Sequence, residues 1–254
     1  MKKLLTVTAL VAGLSMAQVQ AKDWNNIRIG VEGAYPPFSS VTPEGELVGF
    51  DIDIAKTLCE QMQAKCEFVK QDWDGIIPAL LARKYDAIIA SMSITEERKK
   101  KVAFSDKYYN SPAEFIAPKG SSLVISADGL KGKKIGVQRE TIHDKYATEH
   151  YPDAEIVRYG TQDEAYLDLQ AGRVDALLLD AVAGEDGFLK KPEGANYAFI
   201  GEPIQLSEEG AGIAIRKQDT DLVEKFNKAI ADIRANGKYD EVAKKYFSFD
   251  IYGK

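Results

Sequence analysis

A chain of 254 residues with 39 acidic against 33 basic side chains carries a formal charge of −6, which argues against nucleic acid as a partner and weakly favours cationic ligands. Two histidines and two cysteines, with no CxxC, are too few for a metal or redox centre, so neither metal nor cofactor is expected. The length suits one large or two modest domains.

Residues 1–21 read as a targeting segment outside the fold. Lys2 and Lys3 give its basic start, residues 4–14 its apolar stretch, and Val19-Gln20-Ala21 its cleavage site. A membrane anchor is the alternative, but the apolar run is too short to span a bilayer, and no later stretch is long enough either. The mature chain is therefore expected to be exported and soluble, starting at Lys22 after cleavage behind Ala21. In an oxidising compartment Cys59 and Cys66 read as a disulfide that turns the end of a helix back onto the next strand.

Residues 27–31 alternate like a strand and run into Glu32-Gly33-Ala34-Tyr35-Pro36-Pro37, a loop because two prolines end regular pairing. Residues 38–40 and 47–50 flank Pro43-Glu44-Gly45-Glu46 as a hairpin. A helix follows over 51–63 on the period of Ile54, Leu58 and Met62, then a strand at 67–69 and a helix at 73–83. The run 87–90 is a buried strand, and Thr95 before two acids reads as a helix N-cap. Arg98 stands where a capping box would place Glu or Gln, near the positive end of the helix dipole. With Ser91, Ser93, Thr95 and nearby backbone N–H groups it would suit a small carboxylate or phosphate. The plainer alternative is that Arg98 opens a solvated basic run, residues 98–101.

The second half repeats this grammar. Lys134-Ile135-Gly136-Val137 echoes Arg28-Ile29-Gly30-Val31, and residues 171–180 echo 82–91, so that Asp180 falls where Ser91 does. Helices at 142–149 and 162–171 and a strand at 156–159 lie between. Such β-α-β-α-β units make parallel sheets that bind ligands at their strand ends, and two of them suggest two lobes across a cleft. Strands at 114–117 and 210–215 and helices at 222–234 and 239–246 complete the chain.

On these residues the chain resembles the family 3 extracellular solute-binding proteins, the periplasmic receptors of polar amino-acid ABC importers. Gly49-Phe50-Asp51-Ile52-Asp53-Ile54 with Leu58-Cys59 and Met62 fits the family signature. Ala34-Tyr35-Pro36-Pro37-Phe38, the cysteine pair, Ser91-Met92-Ser93-Ile94-Thr95 and Lys244-Lys245-Tyr246-Phe247 are similar to the lysine/arginine/ornithine- and histidine-binding branch. The resemblance implies an α/β, two-lobe periplasmic binding protein fold of type II, each lobe a βαβ-based sheet flanked by helices. Residues 22–110 plus 206–254 would form lobe 1 and 111–205 lobe 2, with hinges near 110–113 and 204–206.

The resemblance also implies roles. Arg98, helped by Ser93, would take a ligand carboxylate, and Asp180 its ammonium group; Ser91 is a further ligand-binding candidate. Tyr35 and Trp73 would stack on a long cationic side chain and Glu32 would pair with its end; core packing and a solvated loop acid are the alternatives. Gln138, Thr141 and His143 belong to the second-lobe loop, where His143 either touches ligand or only starts the helix. Glu140 and Ile142 depart from the glycine and threonine usual there, which puts the turn in question. Residues 205–209 are shorter than in that branch and lack its aromatic residue.

The expected function is capture of a cationic L-amino acid, arginine first and ornithine, lysine or histidine next, by a periplasmic monomer that docks on an inner-membrane ABC permease. Opine-type arginine derivatives fit the same acid-plus-tryptophan pattern. The competing reading is a periplasmic enzyme of the cyclohexadienyl dehydratase type, whose chemistry needs a pocket friendlier to anions than Glu32 and Asp180 allow. A receptor's sensor module would need a membrane-spanning helix. No GxSxG, HExxH or P-loop is present.

Overall fold

The structure is a computed structural model that describes residues 22–253. The expected targeting segment and its cleavage after Ala21 lie outside the described residues.

The first part of the chain runs β1 (Asn26–Val31), β2 (Ala34–Tyr35), β3 (Ser39–Val41), β4 (Leu47–Val48), α1 (Phe50–Gln61), β5 (Lys65–Lys70), α2 (Ile76–Leu81), β6 (Ala87–Ile88), α3 (Glu96–Lys99) and β7 (Ala103–Tyr109). The middle runs β8 (Ala113–Pro118), β9 (Lys134–Gln138), α4 (Ile142–His150), β10 (Glu155–Tyr159), α5 (Gln162–Gln170), β11 (Ala176–Asp180), α6 (Ala181–Gly184) and β12 (Tyr197–Ile204). The chain then returns through β13 (Ala211–Ile215) to α7 (Thr220–Ala235) and α8 (Lys238–Ala243).

These elements form two lobes around two sheets, ordered β5-β1-β6-β13-β7 and β10-β9-β11-β8-β12. The α/β two-lobe architecture is as expected, but the sheets are mixed and not purely parallel. β1 lies parallel to β5 and β6, whereas β13 runs antiparallel to β6 and β7. In the second sheet β9 is parallel to β10 and β11, and β8 is antiparallel to β11 and β12. The reversed strands inserted beside β6 and β11 are β13 and β8, the ones fed from the other lobe. A strand that has just crossed enters its new sheet from the opposite end.

Local chemistry explains the elements that frame the cleft. Helix α1 buries Ile52, Ile54, Ala55, Leu58 and Cys59, and its Cys59 is bonded to Cys66 of β5. Gly49 precedes it at φ 126°, where a Cβ would come within 2.3 Å of the Phe38 carbonyl oxygen, so only glycine lets the hairpin pack on the helix start. Thr161 and Glu164 close a capping box on α5. Helix α7 buries Leu222, Phe226, Ala229, Ile230 and Ile233, one stripe at helical spacing against the first lobe.

Other stretches differ from expectation. The segment at 73–83 starts as a 3₁₀ turn, Trp73–Gly75, before α2, and α3 is a single turn. Strands β7 and β12 were not evident in the sequence. The chain passes between lobes after Tyr109 and again after Ile204, and the two crossings touch where Gln205 Nε2 donates to Asn110 Oδ1 at 3.0 Å. The C-terminal segment braces the first crossing, since the Asn110 N–H donates to the Ile251 carbonyl at 2.9 Å.

Candidate ligand-binding site

Four strands deliver residues to one cleft: Glu32 follows β1, Ser91 lies beyond β6, Gln138 ends β9 and Asp180 ends β11. All the expected ligand residues converge there. Glu32, Tyr35, Trp73, Ser91, Ser93, Arg98, Gln138, Thr141 and His143 line one cavity. An adjoining cavity shares Tyr35, Ser91, Ser93 and His143 and adds Asp180.

Arg98 is half-buried and has no carboxylate partner among the described residues. Its Nη1 donates to the Ser93 carbonyl at 2.9 Å and its Nη2 reaches across the cleft to the Glu140 carbonyl at 3.3 Å. The guanidinium lies 5.3 Å from the Trp73 ring centroid. Burial lowers its pKa to about 10, against the opposing pull of Glu97 and Glu140, so it stays charged at neutral pH. Lys100 and Lys101 are exposed, which separates Arg98 from the solvated basic run. A cation bonded only to carbonyl oxygens keeps the capacity to pair with an anion.

Thr95 forms the expected N-cap, and two of the nearby backbone N–H groups are taken up locally. The Thr95 hydroxyl accepts the Arg98 N–H at 3.2 Å and caps a single turn, and the Ser91 N–H donates to Tyr108 Oη at 2.9 Å. Ser93 and Arg98 remain facing the cleft. Across it, Thr141 Oγ1 donates to the Gln138 carbonyl and caps α4 by accepting from the Asp144 N–H, so its hydroxyl is committed locally.

Asp180 is the negative counterpart. Ser111 Oγ donates to its Oδ1 at 3.0 Å, as do the Val182 and Ala183 N–H groups at 2.9 and 3.0 Å, while Oδ2 takes none of these bonds. Burial lifts its pKa to about 6, against those three donors. Glu32, 4% exposed, accepts a 2.6 Å bond across the cleft from Gln138 Nε2, and the same nitrogen donates to the Gly160 carbonyl. Burial pushes Glu32 up to about 7, only partly offset by Gln138. His143 does face the cleft, and burial followed by the nearby Arg98 charge holds it near 3, hence neutral. Tyr35 stacks on Phe38 at 5.9 Å between centroids, and Trp73 is nearly buried, so packing holds both rings in place.

Glu140 settles the question of the second-lobe turn. It adopts φ 60°, the left-handed conformation that glycine takes more easily, and so keeps its carbonyl directed at Arg98.

Two lobes whose strand ends present a cation on one side and an anion on the other form a pattern that relatives can be compared against. The bacterial extracellular solute-binding proteins, family 3, match residues 27–249. The chain belongs to this family. It is 51% identical over 258 residues to the L-arginine-binding protein of Pseudomonas aeruginosa, an alignment that spans 100% of this chain and 99% of that one. The lysine/arginine/ornithine-binding periplasmic protein of Escherichia coli is 44% identical over 259 residues, with both chains fully covered. Among solved structures, an ancestral arginine-binding protein bound to arginine superposes with a TM-score of 0.83 at 38% identity, covering 88% of this chain and 99% of that one.

Several residues of this solute-binding protein's cleft escaped the sequence reading. Beneath Ser91 lie Asp51 and Tyr108, both fully buried; Asp51 accepts from Ser91 Oγ at 2.9 Å and from Tyr108 Oη at 2.8 Å. Burial raises Asp51 to about 7 despite those bonds. Asp51 was visible only as part of the family signature and as an acid in a first helical turn. At the rim, Arg139 pairs with Asp74 at 2.6 Å and Lys145 with Glu97 at 2.8 Å, each pair bridging the lobes. Nothing in the sequence marks these as partners.

Proposed function

We propose that this solute-binding protein captures a cationic L-amino acid between its lobes and hands it to an inner-membrane ABC permease, with arginine the first candidate and ornithine, lysine and histidine next. The observation that carries the reading is the charge layout: Arg98 has no acid partner, Asp180 keeps one oxygen untied, and Glu32 is buried near the Trp73 and Tyr35 rings. An L-amino acid with a cationic side chain supplies the three opposite charges. Its carboxylate would meet Arg98 and Ser93, its α-ammonium Asp180 and Ser91, and its side chain Trp73, Tyr35, Glu32 and Gln138. Thr141, through its backbone N–H, and His143 would close over the carboxylate from the second lobe.

In this reading residues 22–110 with 206–254 move as one body and 111–205 as the other, about hinges near 110–113 and 204–206. The protein acts in the periplasm as a monomer, after removal of residues 1–21. It holds its ligand without transforming it, as suits kinship with relatives named as binding proteins.

Calorimetric titration of refolded, ligand-stripped mature protein with arginine, ornithine, lysine, histidine, octopine and glutamine tests the reading. The expected result is tight binding of one cationic amino acid, with glutamine weaker by about 100-fold or more, roughly 2.7 kcal/mol. Silence across the panel, or turnover of prephenate, overturns it.

A further inference from the structure

We propose that Asp51, which lines neither cavity, decides which end of a ligand Ser91 can receive: by taking the Ser91 hydroxyl proton it leaves that oxygen an acceptor and reserves this pole of the cleft for a hydrogen-bond donor. The inference rests on the receptor reading above and concerns how its ammonium end is specified.

Tyr108 Oη accepts the Ser91 N–H at 2.9 Å, so its single proton goes to Asp51 Oδ1 at 2.8 Å. Above about pH 7, where Asp51 is ionised and can only accept, the 2.9 Å contact between Ser91 Oγ and Asp51 Oδ2 must use the serine proton. Asp51 and Tyr108 are 0% exposed, so no solvent competes for these bonds. Ser91 itself sits at φ 54°, a left-handed conformation that needs such support in a residue with a Cβ. Both donors of Ser91 are therefore spent below the cleft. The Tyr109 phenol lies near the Ser91 side chain, and even where it donates to that oxygen a hydroxyl has two lone pairs, so one remains for the cleft.

Ser91 borders both cavities, and in the second it shares the wall with Asp180. Asp51 and Asp180 are close enough for the Asp180 charge to raise the proton affinity of Asp51. The pole thus combines an acceptor-only serine with two acids, while Arg98 borders only the first of these two cavities. A zwitterion bound in reverse would press its carboxylate against acceptors and leave a buried polar group unpaired. Asparagine at 51 would break this arrangement, since its amide nitrogen can donate to Ser91 Oγ and turn the hydroxyl proton into the cleft.

The test compares arginine with 5-guanidinopentanoic acid, which is arginine without its α-amino group, by calorimetry at pH 8, where Asp51 is ionised. Asp51→Asn is expected to weaken arginine by about tenfold or more while changing the des-amino compound by less than about threefold, so the preference for arginine collapses. Ser91→Ala should collapse the same preference, and the double variant should go no further than either single one. Equal weakening of both compounds by Asp51→Asn would make Asp51 a merely structural residue and overturn the proposal. Should Asp51→Asn fail to fold, an unchanged preference in Ser91→Ala overturns it equally. A wild-type protein that binds no arginine overturns the receptor reading and this inference with it, whereas wild-type binding with an unaltered preference in the variants sinks this inference alone.

Discussion

At the scale of single residues the cleft is defined by charges that lack partners. Removing Arg98 or Asp180 by alanine substitution should cost arginine binding about 3 kcal/mol, on the order of 100-fold in Kd, because a ligand charge is then buried unpaired. Calorimetry showing either variant within about threefold of wild type would contradict the assigned roles. The buried acids also set a pH dependence. Glu32 and Asp51 are raised to about 7 and Asp180 to about 6, so the folded, ligand-free chain holds protons that the unfolded chain releases near pH 4. Their contribution to stability is full below about pH 4 and is lost as pH rises through 6 and 7. His143, lowered to about 3, contributes oppositely: its stability is lost as pH falls through about 6.5 and is constant above that. Between about pH 6.5 and 8 the acids act alone, so the urea midpoint of ligand-free protein should fall with pH. Saturating arginine should flatten that slope, because its cationic groups keep the acids ionised in the folded state. A midpoint that rises across this window would argue against burial of these acids. Arg98 was legible because it stands where a capping box would place Glu or Gln, and Asp180 because residues 171–180 echo 82–91 and the family resemblance gives that position a role. Asp51 was not, because its partners Ser91 and Tyr108 lie 40 and 57 residues away and only the tertiary fold brings them under one loop.

Elements tell a similar story with different causes. Strands β1, β9, β11 and β13 could be read from their apolar patterns and α7 from its period, since packing there agrees with local propensity. β7 could not, because Ser105, Asp106 and Lys107 interrupt its apolar character, and β12 is broken by Gly201 and Pro203. The reversed direction of β8 and β13 has no local signal, as the crossovers dictate it. The second-lobe turn carries strain that can be measured. Glu140→Gly should stabilise the protein by about 1 kcal/mol by relieving a left-handed non-glycine residue, while the carbonyl facing Arg98 stays in place. A raised urea midpoint with arginine affinity unchanged is the expected result. The bond between Cys59 and Cys66 closes a loop with a sequence separation of 7. In the chain-entropy model its loss in Cys59→Ser/Cys66→Ser should lower unfolding free energy by about 2 to 3 kcal/mol. That cost should appear in denaturation and leave ligand preference alone, because the staple lies behind α1, away from the cleft.

For the whole molecule, closure is held by contacts of unequal character. The Glu32–Gln138 bond is buried, whereas the Arg139–Asp74 and Lys145–Glu97 pairs have side chains between 37% and 58% exposed. Exposed pairs contribute at most about 1 kcal/mol each and are screened by salt. The double variant Arg139→Ala/Lys145→Ala should raise the Kd for arginine by about fivefold in dilute buffer, and the difference should vanish near 1 M salt. A loss that persists at high salt would mean that these residues shape the cleft itself. The order of the first sheet reaches further, into the history of each molecule. β13 fills the place between β6 and β7, yet it follows every strand of the second lobe in the chain. While the polypeptide is still emerging from a ribosome or a translocation pore, the lobe begun first has a vacant slot inside its sheet. The second lobe, whose strands β8 to β12 are contiguous, has everything it needs sooner. The lobe that starts the chain is thus the last to be finished, and the cleft exists only once the final fifth of the polypeptide has arrived.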